Sequence, residues 1–238
     1  MKYKGSKSRL AKEILPIILK DRKDNQYYVE PFCGGCNSID KVSGNRIAND
    51  SNKYLIAMWK ALVYDNWKPT MLNKSQYYDI MYHKDNYPLH EVGWAGFNCS
   101  YCGDWFKGFA GETKTSIGTI RDYQSEAIRN ISKQVPLLKD VLFKNVSFNE
   151  LEFPVNSIVY CDPPYAGTSA YKDSFDSLNF WDWVRSLDKQ GHIVFVSEYN
   201  APDDFECVWQ KEVSSSLSIV KEDGKAKKSI EKLFKVRK

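Results

Sequence analysis

A short apolar stretch that stops abruptly at an acid and two prolines lies at residues 158–164. Ile158, Val159 and Tyr160 are typical of the end of a buried strand. The two prolines that follow have no backbone N–H to donate to a neighbouring strand, and they bias the residue before each of them towards an extended backbone. The sequence therefore predicts that Asp162 is held stiffly at the edge of a sheet, with Tyr165 just beyond it. A carboxylate in that position either forms a turn or takes part in chemistry.

Strand and helix patterns alternate along most of the chain, which is typical of an α/β fold with a parallel sheet. Strand patterns lie at residues 26–32, 45–50, 146–151, 157–162, 192–199, 205–213 and 228–236, and helical patterns at 9–20, 51–65 and 178–190. Glycines and aromatic residues interrupt the alternation after about residue 66, and a helical pattern returns at 121–140. We therefore predict one α/β domain formed by residues 1–65 and 141–238, with an inserted, mostly helical and hairpin subdomain at 66–140.

Composition narrows the class of protein. No apolar run in the 238 residues approaches the roughly 18 that a membrane span requires, so we expect a soluble, cytoplasmic protein that does not bind membranes. The net charge is only +4, but residues 1–23 carry eight Lys or Arg against two acids, and residues 221–238 carry eight against three. Basic ends of this kind fit a phosphate-bearing partner, although solvated termini explain them equally well. No obligatory protein partner is evident.

Six cysteines include two CxxC pairs, Cys33 with Cys36 and Cys99 with Cys102. Four thiolates could hold a structural zinc ion. The first pair, however, lies inside a glycine-rich loop that has another explanation, and reduced thiols are ordinary in an intracellular chain. We predict no bound metal, with zinc as the alternative.

Three features follow predicted strands. The glycine loop Cys33-Gly34-Gly35-Cys36 allows a tight turn and a close approach of backbone to a ligand. Asp50, sixteen residues after Gly34, ends the next strand, where an acid can accept hydrogen bonds from a ribose. Asp162 ends a third. Because ligands of open α/β sheets bind outside the carboxyl ends of the strands, we expect all three to face one cleft. The first two alone would also fit a nicotinamide enzyme, but the loop does not match GxGxxG.

The chain resembles the Dam-type (D12 class, alpha group) DNA adenine-N6 methyltransferases of phages and bacteria, with the motifs in that family's order. The matching segments are "YKGSKSRL", "EPFCGGCNS", "ANDSN", "YCDPPY", "SEYNAP" and "KAKKSIEKLFKV". The resemblance implies a Rossmann-like sheet, S-adenosylmethionine as cofactor and double-stranded DNA as substrate. The residues that it places at the cofactor are Tyr3, Lys7, Phe32, Gly34, Asp50, Phe148 and Asp162. Tyr3 and Phe32 are also compatible with ordinary core aromatics.

The resemblance makes Asp162, Pro163 and Tyr165 the catalytic residues. The lone pair of the adenine amine is delocalised into the ring, so acceptors that orient its two N–H groups and stabilise the developing positive charge would assist attack. Asp162 and the carbonyl of Pro163 are candidates for those acceptors. A duplex hides this amine, so the base must be flipped out, and Tyr165 would stack on it.

In the family that the chain resembles, the segment between these motifs recognises DNA, which implies the same role for residues 66–140. Candidate DNA contacts are Lys107, Lys114, Arg121 and Arg129, with Tyr199 at the end of the strand after the catalytic motif. "GFNCSYCGDWFKG" resembles weakly the hairpin of family members that read GATC, but Gly103-Asp104-Trp105 replaces a basic residue there, and relaxed specificity is an alternative. Transfer to the N4 amine of cytosine, transfer to RNA, and a non-catalytic DNA-binding relative also remain open.

Overall fold

The structure is a computed structural model that describes residues 1–115, 117–164, 177–214 and 228–238. The chain divides into two compact units. Unit 1 comprises Met1–Lys12 and Phe32–Glu152, and unit 2 comprises Glu13–Pro31 and Phe153–Lys238. No helix in the described ranges is long and apolar enough to cross a membrane.

Helices and strands alternate as the sequence predicts. The helices are α1 (Ala11–Ile18), α2 (Lys53–Val63), α3 (Lys74–Tyr82), α4 (Leu89–Gly93), α5 (Tyr123–Gln134) and α6 (Ser177–Lys189). The strands are β1 (Tyr28–Glu30), β2 (Arg46–Asn49), β3 (Glu112–Lys114), β4 (Ile120–Asp122), β5 (Val141–Lys144), β6 (Ile158–Cys161), β7 (Ile193–Glu198), β8 (Phe205–Ser214) and β9 (Lys228–Val236).

Seven of these strands form one mixed sheet in the order β5-β2-β1-β6-β7-β9-β8. The pairs β2–β5, β1–β6 and β6–β7 are parallel, and β9 runs antiparallel to both β7 and β8. Counted along the chain, the strands of this sheet follow the order 3-2-1-4-5-7-6, a Rossmann-like arrangement in which the last strand is inserted beside the fifth. The predicted α/β fold with a largely parallel sheet is confirmed.

One predicted strand is misplaced. The pattern of residues 146–151 predicted a strand, but the strand of this region is β5, five residues earlier, where Val141 and Phe143 are buried and Leu142 and Lys144 are exposed. Ser147 and Glu150 instead form a capping box around a single 3-10 turn. Because a Ser with a Glu three residues later satisfies the N–H groups of a helical turn, this local signal overrides the alternation of apolar residues.

The segment 66–140 contains α3, α4, the separate two-stranded hairpin β3–β4 and α5, all within unit 1. A π-helical turn, Trp94–Asn98, extends α4 and is buried throughout. Helices and a hairpin are therefore present where the sequence predicts them. The boundaries of an inserted domain at residues 66 and 140 stay a prediction.

Candidate active site

The glycine loop leaves β1 as a tight turn in unit 1. The N–H of Cys33 donates to the carbonyl of Asn49 at 2.8 Å, and the N–H of Cys36 donates back to the carbonyl of Cys33 at 2.8 Å. Gly34 has φ +46°, in the left-handed region that favours glycine. A Cβ on Gly34 would lie 2.6 Å from Cε1 of Tyr3, so the ring of Tyr3 packs directly on the loop. Two residues predicted at the cofactor, Tyr3 and Gly34, are thus in contact.

Asp50 is tied to the same loop. Its Oδ2 accepts from the N–H of Gly34 at 3.1 Å, and its Oδ1 accepts from the N–H of Asn52 at 2.9 Å. Burial raises the pKa of the Asp50 carboxyl, and the two backbone N–H groups oppose that shift because they stabilise the charged form. Each carboxylate oxygen has further acceptor capacity, because one carboxylate can accept about four hydrogen bonds. The geometry therefore suits hydroxyl donors on a ligand.

Two side chains that support the glycine loop were not predicted from the sequence. Gln134, at the end of α5, donates to the carbonyls of Gly35 at 3.0 Å and Cys36 at 3.1 Å. The indole N–H of Trp59 donates to the carbonyl of Gly34 at 3.1 Å. The sequence contains one signal for Gln134, which lies three residues after Ile131 and is therefore a polar residue on the apolar face of its helix. In the structure both residues are buried.

Of the other residues predicted at the cofactor, Lys7, Phe32 and Phe148 lie in unit 1, whereas Asp162 lies in unit 2. The rings of Phe32 and Phe148 contact each other, with centroids 5.4 Å apart. Lys7 is buried and donates to the carbonyl of Gly5 at 3.4 Å, a long hydrogen bond. The loop and Phe32 follow β1 in the chain, Asp50 follows β2, and Phe148 lies a few residues after β5. Their assignment to a cofactor stays a prediction.

Unit 2 contains the predicted catalytic segment. All four residues of β6 are buried, and Asp162 and Pro163 follow directly at its carboxyl end, with Asp162 half-buried. Behind them, the hydroxyls of Tyr160 and Ser197 are 2.8 Å apart and link β6 to β7. Tyr165 lies outside the described residues. The predicted position of Asp162, directly after a buried strand, is observed; its rigidity and its catalytic role stay predictions.

Tyr199 follows β7 in unit 2 and is partly exposed. Its backbone N–H donates to the Oε2 atom of the neighbouring Glu198 at 3.0 Å. Its contact with DNA stays a prediction.

The other predicted DNA contacts lie in unit 1. Lys107, Lys114 and Arg129 are exposed. Arg121 differs from them, because its guanidinium forms two parallel hydrogen bonds to the carboxylate of Glu126. The pair raises the pKa of Arg121 and lowers the pKa of Glu126, since each charge stabilises the other.

Most cysteines of the two CxxC pairs are packed inside the protein. Cys33, Cys36 and Cys99 are buried free thiols, and Cys102 is partly exposed. Burial raises the pKa of Cys99 above its usual range, which disfavours the thiolate that zinc requires. Within the described ranges, no group of three or more His, Cys, Asp or Glu side chains is placed to hold a metal ion.

Comparison with known proteins identifies the family. The sequence profile described as D12 class N6 adenine-specific DNA methyltransferase matches residues 3–192, which is most of the chain and includes the glycine loop, Asp50 and Asp162. The chain belongs to this family. The resemblance inferred from the motifs is confirmed; an origin in a phage stays a prediction.

One curated relative is the type II methyltransferase M.FokI of Planomicrobium okeanokoites, 28% identical over 219 residues. The match covers 78% of this chain and 31% of M.FokI, so the chain spans about a third of that relative's length. Two solved structures also align, each with a TM-score of 0.38. They are the Escherichia coli protein yhhF, at 10% identity with 96% of this chain and 85% of that chain covered, and SMU.472 complexed with SAH, at 12% identity with 100% and 55% covered.

Proposed function

We propose that this chain transfers a methyl group from S-adenosylmethionine to the N6 amine of an adenine flipped out of double-stranded DNA. The observation that carries the proposal is the position of Asp162-Pro163, at the carboxyl end of a buried strand, in a chain of the D12 class. A purely DNA-binding role is disfavoured, because a protein that only binds DNA needs neither the Asp162-Pro163 motif nor an acid at Asp50 suited to a ribose.

The glycine loop and Asp50 fit the cofactor. Gly34 and Gly35 lack the Cβ atoms that would collide with Tyr3, so the loop lies close against that residue. Asp50 is an anchored acceptor suited to ribose hydroxyls. Tyr3, Lys7, Phe32 and Phe148 complete the set that we assign to the cofactor. S-adenosylmethionine supplies an electrophilic methyl group on a sulfonium, whose departure as a thioether is favourable. The chain therefore contributes chiefly position and charge.

Asp162 and Pro163 act on the adenine amine. The Asp162 carboxylate accepts one N–H and the carbonyl of Pro163 accepts the other, which orients the nitrogen and favours a more tetrahedral geometry. Both acceptors stabilise the positive charge that develops on the nitrogen during attack. Asp162 need not remove a proton before attack, because the proton can leave afterwards. We assign Tyr165 to stacking on the flipped base and Tyr199 to the same pocket.

We propose that residues 66–140 form the target-recognition subdomain and that residues 1–65 and 141–238 form the catalytic domain. Lys107, Lys114 and Arg129 are exposed cations suited to phosphates, and Arg121 is a fourth cation of the same segment. We further propose that the reaction takes place in the cytoplasm of a bacterial or phage-infected cell, where such DNA is found.

The test uses the Asp162→Asn variant with Asp24→Asn as its matched control, since Asp24 is an exposed carboxylate in the same unit. Each protein is incubated with unmethylated duplex DNA and S-adenosylmethionine, and the product is digested to nucleosides for mass spectrometry. We expect N6-methyladenine from the wild type and the control, and a rate at least about 100-fold lower from Asp162→Asn, the scale of losing one preorganised charge-stabilising group. Binding of S-adenosylhomocysteine should survive in both variants.

Other outcomes separate the alternatives. N4-methylcytosine in place of N6-methyladenine would change the target base, and methylation of RNA alone would change the nucleic acid. DNA and cofactor binding without methylation of any base would leave a binding module. Loss of cofactor binding in Asp162→Asn would mean that this carboxylate holds the cofactor rather than the amine.

A further inference from the structure

A single carboxylate holds two cations on the exposed side of the predicted recognition segment. Arg121 donates from Nε to Oε1 of Glu126 at 2.6 Å and from Nη2 to Oε2 at 2.8 Å. The Nζ atom of Lys2 lies 3.6 Å from the same Oε2. Arg121 and Lys2 therefore share one acceptor in the DNA-free protein.

Tyr123 completes the arrangement. The guanidinium of Arg121 lies 4.8 Å from the centre of the Tyr123 ring, and Nζ of Lys2 lies 4.6 Å from it. Both distances suit cation–π contacts. The two cations are thus held by the same ring as well as by the same carboxylate.

The position of Glu126 is set by the start of α5. Asp122 caps this helix by accepting from the N–H groups of Gln124 at 3.0 Å and Ser125 at 3.1 Å. Glu126 then lies in the first turn, where a negative charge is favoured by the helix dipole. Arg121 is the middle residue of the hairpin strand β4 and directly precedes that cap, so little chain entropy is lost when the pair forms.

The two acceptor oxygens of Glu126 offer Arg121 the same planar, bidentate arrangement that DNA offers through a phosphate or through O6 and N7 of a guanine. Nη1 of Arg121 donates neither of these bonds, but the Nε–Nη2 edge can make a bidentate contact with DNA only if DNA replaces Glu126. Lys4 is neutralised in a similar manner by Asp104, at 2.9 Å. Cations near the amino terminus are therefore already paired with acids of the inserted segment.

Resting on the proposed function, we propose that Glu126 is an internal competitor of DNA for Arg121 and Lys2 and that it sets the affinity and the salt dependence of DNA binding. When DNA displaces it, the Glu126 carboxylate attracts a cation from solution. That uptake offsets one of the counterions that the DNA releases. Glu126 therefore makes DNA binding weaker, and less dependent on salt, than the number of cations on this surface would predict.

The test compares Glu126→Gln with Glu112→Gln by fluorescence anisotropy on labelled duplexes over a series of salt concentrations. Both variants remove one negative charge, but Glu112 is an exposed residue of β3 to which the structure assigns no role in the Arg121 pair. We expect Glu126→Gln to bind about 2- to 10-fold more tightly than Glu112→Gln at low salt, the range for losing one or two exposed ion pairs. The slope of log K against log salt should steepen by about 1.

A second background isolates the pair. In Arg121→Gln, the further change Glu126→Gln should raise affinity less than it does with Arg121 present, because only Lys2 is left to release. A duplex of adenine and thymine alone separates the two kinds of acceptor. If the effect persists on it, Arg121 binds phosphate; if the effect appears only with guanine present, Arg121 reads a base edge.

Equal behaviour of Glu126→Gln and Glu112→Gln, in proteins with unchanged melting temperatures, would overturn the inference while leaving the methyltransferase proposal intact. Absence of DNA binding and methylation by the wild type would instead remove the proposed function and this inference with it. If Glu126→Gln does not fold, Glu126→Asp replaces it, because the shorter side chain keeps the charge and weakens the bidentate contact.

Discussion

Gly34→Ala is the change whose cost can be worked out most directly from the structure. Gly34 has φ +46°, and a left-handed backbone costs a residue with a Cβ roughly 1–2 kcal/mol. The added Cβ would also lie 2.6 Å from Cε1 and 3.1 Å from Cδ1 of Tyr3. Overpacking of this kind costs about 1–3 kcal/mol. We therefore expect a loss of about 2–5 kcal/mol, against a total stability of about 5–15 kcal/mol for a typical protein.

Gly118→Ala is the matched control. Gly118 also has a positive φ, +84°, and belongs to the same unit, but a Cβ there meets nothing within 4 Å. It should pay the conformational cost alone, about 1–2 kcal/mol. Unfolding of both variants in urea, with calorimetric titration of S-adenosylhomocysteine, measures stability and cofactor affinity together. At about 2–4 °C per kcal/mol, Gly34→Ala should melt about 4–20 °C below the wild type.

The contact with Tyr3 can be tested separately. In a Tyr3→Ala background the ring is absent, so Gly34→Ala should cost no more than Gly118→Ala does. Cofactor affinity should fall in Gly34→Ala and not in Gly118→Ala. If Gly34→Ala is no more destabilising than its control in the wild-type background, the ring of Tyr3 does not constrain the loop and the account of this turn is wrong.

Two further predictions concern buried hydrogen bonds. Gln134→Ala removes the side chain that donates to the carbonyls of Gly35 and Cys36. We therefore expect the free energy of unfolding to fall by about 1–3 kcal/mol and hydrogen exchange in the glycine loop to become faster. Unchanged exchange would contradict the supporting role of Gln134. Nδ1 of His192 accepts from the N–H of Ser157 at 3.1 Å, and burial lowers its pKa. The stability that neutral His192 contributes to the folded protein is therefore fully present above the ordinary histidine pKa of about 6.5. It is lost as the pH falls through the lower pKa of the folded state. Urea unfolding at pH 7.5 and 5.5 should show this loss in the wild type and a smaller loss in His192→Gln.

Much of the fold follows from local sequence patterns. The buried strand before Asp162, the helical pattern of α6 and the two closing strands depend on periodicity and on proline, which act within a few residues. The strand predicted at 146–151 is wrong because a second local signal, the capping box of Ser147 and Glu150, favours a helical turn over the same few residues. The order of motifs, read as a whole, was sufficient to identify the D12 class.

Tertiary structure alone decided which side chains support or restrain these motifs. Gln134 follows the glycine loop by about 100 residues, and Tyr3 precedes it by about 30, yet both pack against it. Arg121 looked in the sequence like a cation available to DNA, but the start of α5 places Glu126 against it. Such contacts depend on how helices and strands are placed in space, and no local pattern encodes that placement. The sequence by itself determined the α/β class of the fold, the positions of Asp50 and Asp162 after strands and the family to which the chain belongs. Only the folded chain determined how the glycine loop is held and which cations are already paired.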